Sequence, residues 1–218
     1  MSDWTIDWPL YAPALAPWRP TVEAEIEATR QAVARLVPPP RLTVEVRLEP
    51  IKVIPELGMV GYSHGPDRFS LSLAPRNPNF EPAVAQGALH RQIAHEVHHC
   101  LRFAGPGYGR TLGEALVSEG LAGHFVHRLY ATPPELWERA LPEDVALGHL
   151  PDDAVLSATG HDHAGWFFGA GGRHPRWLGY TLGYVLVGRW LARMGTVDGP
   201  TLINVPARDV IAAARHAA

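Results

Sequence analysis

The stretch "RQIAHEVHHCLRF", residues 91–103, sets three histidines and a glutamate into five consecutive positions of an otherwise largely apolar run. Imidazole and carboxylate groups are costly to bury unless they are paired. Any fold of this chain must therefore give His95, Glu96, His98 and His99 partners. Read as a helix, the run puts His95 and His99 on one face, with Cα atoms about 6 Å apart. Two imidazoles so placed can close on one cation. Glu96 is turned about 100° from His95, so its carboxylate lies beside such an ion and not on it. His98 lies about 60° to the other side and is expected to pack or hydrogen-bond as a flanking residue.

This spacing, His-Glu-x-x-His, supplies two zinc ligands and a carboxylate able to take a proton from water on the metal. Chance also produces short motifs, so the pattern needs a third ligand. The next apolar run, "TLGEALVSEGLAGHFVHRL", offers Glu114 and Glu119. Glu119 follows His99 by twenty residues, enough for one helix to finish, a Gly-rich turn to form and a second helix to pack back antiparallel. It stands among Leu116, Val117, Leu121 and Ala122, a poor setting for a solvated charge. Gly120 and Gly123 are expected to let the two helices approach closely. Glu114 is a candidate partner for a ligand histidine, and His124 and His127 are alternative ligands.

The remaining pattern is that of an α+β chain. Residues 1–19, rich in Trp and Pro, read as an extended arm anchored by Trp4, Trp8 and Trp18, and residues 20–218 as a single domain. A helix from about Thr21 carries a stripe of Val22, Ile26, Thr29, Val33 and Leu36 and stops at "PPP" (38–40). Residues 41–49 alternate as a half-buried strand does, and 58–63 and 68–73 form a hairpin turning at "HGPD". Helices are predicted over 83–103, 110–129, 134–147, 178–194 and 206–216, and residues 158–176 as irregular. The architecture expected is a small antiparallel or mixed sheet followed by a mostly helical part.

Composition narrows the function. A formal net charge of −3 without a Lys/Arg cluster leaves no electrostatic footprint for nucleic acid. The longest apolar stretch, 177–188, is too short to span a bilayer. The first eighteen residues lack the basic region and unbroken apolar region of a secretory signal. One cysteine, Cys100, rules out an intrachain disulfide. The chain reads as soluble and cytoplasmic, with no nucleic-acid or membrane partner.

"HEVHH" followed by "TLGEALVSEGLAGHF", with "RWLGYTLGYVLVGRWL" further on, resembles the gluzincin metallopeptidases, and more narrowly the small YjaZ-like predicted zinc-dependent protease family. The likeness spans roughly residues 58 to 194. It implies a zincin-like fold, one zinc ion on His95, His99 and Glu119, Glu96 as general base, and a peptide or protein substrate. It also implies a sheet edge able to pair with an extended peptide, for which "RFSLSL" (68–73) is a candidate.

Hydrolysis of an amide needs a donor for the oxyanion. Tyr180 and Tyr184, four apart in "GYTLGY", share a face and are the candidates, Tyr180 first. Gly179 and Gly183 would let their helix lie close to a neighbour. His161 and His163 form a weak His-x-His pair read as a solvated loop, and Arg173 or His174 is a candidate for binding an oxyanion or a substrate carboxylate. The function expected is a zinc-dependent peptidase in which Glu96 activates a zinc-bound water. The alternatives are a zinc amidohydrolase of non-peptide substrates and a non-catalytic module on a zincin scaffold.

Overall fold

A computed structural model describes residues 4–215. The chain divides into two compact units, one ending at Ala104 and the other beginning at Gly105. Together they make an α+β protein with a four-stranded mixed sheet, all of it in the first unit.

The first unit opens with β1 (Trp4–Asp7), then a 3-10 turn over Pro13–Trp18 and α1 (Arg19–Val33). The start of the expected arm is thus a strand paired in parallel with the next one, and Trp4 is buried there. α1 buries Val22, Ile26, Thr29, Ala32 and Val33. Leu36 of the predicted stripe falls beyond the helix end and is only half-buried. β2 (Leu42–Leu48), β3 (Met59–Gly65) and β4 (Arg68–Leu73) follow the predicted strands closely. The turn between β3 and β4 is Pro66–Asp67, and the register shifts between Ser63 and Gly65.

The strand order is β1-β2-β4-β3, with β2 and β4 parallel and β3 and β4 antiparallel. This corrects one expectation: "RFSLSL" is not an edge. β4 lies between β2 and β3, and β3 ends the sheet. Pairing gives the physical reason: β4 is hydrogen-bonded in parallel to β2 along one side and antiparallel to β3 along the other, so it has no free edge to offer. Its faces are covered as well, with the consecutive Phe69, Ser70 and Leu71 all buried. The small Ser70 side chain is what admits a polar residue there, held by contacts to His64 and the Tyr62 carbonyl.

The helix predicted over 83–103 is two, α2 (Phe80–Ala85) and α3 (Ala88–Phe103). Gly87 separates them with φ of 76°, a left-handed conformation that glycine adopts without strain. α3 packs its inner face on β3, β4 and α1, burying Leu89, Ile93, Val97 and Cys100.

The second unit is helical: α4 (Leu112–Tyr130), α5 (Glu143–Gly148), α6 (Asp153–Ser157), α7 (His163–Phe168), α8 (Leu178–Met194), α9 (Gly199–Asn204) and α10 (Ala207–Arg215). α8 has the predicted bounds, and the last helix starts one residue later than predicted. Residue 216, its expected end, lies outside the described residues. The helix predicted over 134–147 shrinks to α5, and the segment predicted as irregular contains α7. α7 is nucleated by Asp162, whose Oδ1 accepts the Gly165 N–H at 2.9 Å, a cap inside a Gly- and His-rich sequence. The core is built by Leu116, Trp166, Phe167, Leu178, Leu182 and Leu186.

α4 and α8 form the tightest contact of this unit. A Cβ built on Gly120 would lie 2.1 Å from the Gly183 carbonyl oxygen, and one on Gly183 would lie 2.1 Å from that of Leu116. Gly123 is filled by Glu138 and Tyr184. The glycines beside Glu119 therefore serve the packing of α4 on α8 and its surroundings.

Candidate functional site

α3 brings its predicted pair together. The Nε2 atoms of His95 and His99 are 3.0 Å apart, and the rings meet edge to face with centroids 4.7 Å apart. His99 is buried and His95 half-buried. His98 is fully buried, its ring 6.0 Å from that of His99, as suits a flanking residue. Arg102, one turn past His98 and 2 % exposed, was not singled out from sequence. Its position in an otherwise apolar run is the signal that could have found it.

Glu96 turns toward β3. The Ser63 hydroxyl lies 2.7 Å from its Oε2 and 3.0 Å from its backbone carbonyl. A Cβ on Gly61 would lie 2.3 Å from Glu96 Cγ and 2.5 Å from Oε1. The Gly61 N–H donates to Gln92 Oε1 at 3.4 Å. Cys100 points its thiol at Ser63 Oγ and the Arg68 carbonyl, each 3.7 Å away. Burial pushes that thiol up to about 12, a shift that the Ser63 contact opposes.

In the second unit, α4 starts at a capping box. Thr111 Oγ1 accepts the Glu114 N–H at 3.2 Å, and Glu114 Oε2 accepts the Thr111 N–H at 3.0 Å. Glu114, expected as a candidate partner for a ligand histidine, commits Oε2 to the helix start. Glu119 is 7 % exposed. Its Oε1 accepts the Tyr108 hydroxyl at 2.7 Å, and the Tyr108 carbonyl in turn accepts from Ser118 Oγ at 2.6 Å. Tyr108, in the Gly-rich loop before α4, gave no sequence signal beyond a hydroxyl among glycines.

The alternative ligands have other work. His124 Nε2 donates to the Tyr184 carbonyl at 3.0 Å, and its ring stacks on the Tyr184 ring at 4.0 Å. Burial holds its pKa down to about 4, against the raising effect of the carbonyl. His127 Nδ1 donates to the Thr132 carbonyl at 2.7 Å. Tyr184 is pushed up to about 12, first by burial and then by the Glu138 charge, so its hydroxyl stays protonated. Tyr180 sits half-buried against Phe167, Phe168 and Trp137. His163 stacks on Phe167 at 4.3 Å. Burial lowers its pKa while the Glu119 charge raises it, which places those two groups within electrostatic reach. His174 stacks on Trp166 at 4.0 Å.

The fold and these side chains define an α+β protein whose longest helix of the first unit carries a converging imidazole pair and a carboxylate held on a strand. The chain belongs to the family described as predicted Zn-dependent protease (DUF2268), whose model matches residues 22–212. No curated protein and no solved structure matches it. Among the described residues, no helix is long and apolar enough to cross a membrane.

Proposed function

We propose that the protein is a zinc-dependent peptidase that uses Glu96 as general base. The observation that carries this reading is the His95–His99 pair. Two imidazole nitrogens 3.0 Å apart need a shared proton or a cation between them. Tetrahedral zinc, with Zn–N bonds of 2.0–2.1 Å, separates its ligand atoms by roughly 3.3 Å, so the pair fits. Glu119 is the proposed third ligand. Its support is the buried carboxylate anchored by Tyr108 and the chemistry of the donor set, since two imidazoles and one carboxylate leave a fourth position of a catalytic zinc open for water.

Zinc at such a site acidifies water toward a pKa of about 7 and polarises a carbonyl under attack. The chain's own groups do the rest. Glu96 accepts the proton from the attacking water and returns it to the leaving amine. Tyr180, with Tyr184 second, is the proposed donor to the oxyanion. Its support is a half-buried hydroxyl-bearing ring two aromatic contacts from His163, which feels Glu119. The substrate is a peptide or protein. A lone cysteine suits the cytoplasm.

Metal analysis together with turnover of a random-sequence mixture of quenched fluorescent peptides tests the proposal. One zinc per chain is expected. His99→Ala should lose the metal, and Glu96→Gln should keep it while losing roughly 10²–10⁴-fold in rate. A Glu96→Gln variant that still cleaves at the wild-type rate removes the general base, and a chain that takes up no zinc removes the reading altogether.

A further inference from the structure

A general base works only if its oxygen faces the proton it takes, and a glutamate side chain on a helix has three torsions to lose. In this chain the restraint comes from β3. Ser63 has a single hydroxyl proton and two acceptors in reach, Glu96 Oε2 at 2.7 Å and the Glu96 carbonyl at 3.0 Å. The ionised oxygen is the nearer and the stronger acceptor, so it takes the proton. The Cys100 thiol lies 3.7 Å from both Ser63 Oγ and the Arg68 carbonyl, with one proton to share between them.

Gly61 lies two residues earlier, on the same face of the strand. The space its missing side chain leaves is where Glu96 Cγ and Oε1 sit. The Gly61 N–H also reaches Gln92 Oε1, and Gln92 is one helical turn before Glu96. Two alternate positions of one strand thus grip one carboxylate from its two ends. Among the described residues no hydrogen bond is made to Oε1.

We propose that Ser63 and Gly61 are positioning residues for Glu96: Ser63 holds Oε2, Gly61 makes room for Oε1, and Oε1 is thereby the one oxygen presented as proton acceptor. The inference rests on the reading of Glu96 as the base. It assigns a role to two strand residues that touch neither metal nor substrate in that reading.

The test uses the zinc-loaded full chain and the same quenched peptide mixture. Ser63→Ala should lower kcat roughly tenfold, as removal of a partner of a metal-site group does, with KM and zinc content unchanged. Ser63→Thr, which keeps the hydroxyl, should recover to within about threefold of wild type. Adding Ser63→Ala to Glu96→Gln should cost nothing further, because a residue acting through another has nothing left to act on. A full-rate Ser63→Ala variant, or losses that multiply in the double variant, overturns the proposal.

Crystal structures of zinc-loaded wild type and Ser63→Ala give a readout independent of turnover. The Glu96 carboxylate should leave its place over Gly61 in the variant, and an unchanged carboxylate overturns the proposal. If the zinc-loaded wild type hydrolyses no peptide, the peptidase reading fails while this structural comparison still decides the positioning role.

Discussion

Gly120 and Gly183 face each other so closely that neither can carry a side chain: a Cβ on either would lie 2.1 Å from a backbone carbonyl oxygen of the opposite helix. The obstacle is main chain, which cannot swing aside as a side chain can. Gly183→Ala should therefore force α4 and α8 apart and destabilise the protein by about 1–3 kcal/mol, the usual range for overpacking a tight contact. Thermal unfolding should show a Tm several degrees lower. A variant that melts with the wild type would mean the helices are not held at this distance.

His124 makes stability depend on pH. Its pKa is about 4 in the fold against 6.5 for the free side chain. Between those values the unfolded chain binds a proton that the folded chain refuses, so stability falls as pH drops from 6.5 toward 4 and changes no further below. The full effect is roughly 3 kcal/mol at about 1.4 kcal/mol per unit. Urea unfolding at pH 7 and pH 4.5 should show the loss, and His124→Phe should remove most of the difference. Equal pH sensitivity in that variant would assign the effect to other groups.

Thr111 caps α4. Thr111→Ala removes the acceptor for the Glu114 N–H and should cost about 1 kcal/mol. Urea unfolding measures this, and amide hydrogen exchange at Glu114 should speed up while the middle of α4 is unchanged.

Cys100 is fully buried. Iodoacetamide at pH 8 should leave the folded chain unlabelled and modify one thiol per chain after denaturation. Rapid labelling of the native protein would show that α3 opens readily from β3 and β4.

The parts of the fold that sequence alone revealed are those with local causes. α8 was legible to the residue because a largely apolar sequence follows Pro175–Arg176 and gives way at Gly195. β2 and the β3–β4 hairpin followed from period-two alternation and a Pro-Asp turn. The His95–His99 pair needed only helical spacing. What stayed hidden depended on neighbours. No alternation in "RFSLSL" says that β4 has a strand on each side, and nothing in "WTID" says that it pairs with residues 42–45. Gly120 and Gly123 announced a close approach without naming α8 as the partner. Ser63 was invisible for the same reason, since a serine on a strand is ordinary until a glutamate from another element is laid against it. The start predicted at Pro134 for the helix over 134–147 fails too, since irregular chain persists to Pro142.

The burial of Cys100 has a practical consequence. The single sulfhydryl of this chain is shielded by the sheet, so a cysteine introduced at any exposed position becomes the sole reactive handle on the native protein. Spin labels, fluorophores or crosslinkers can then be placed one site at a time on the otherwise unaltered sequence, and motions of either unit followed without first engineering out a competing thiol.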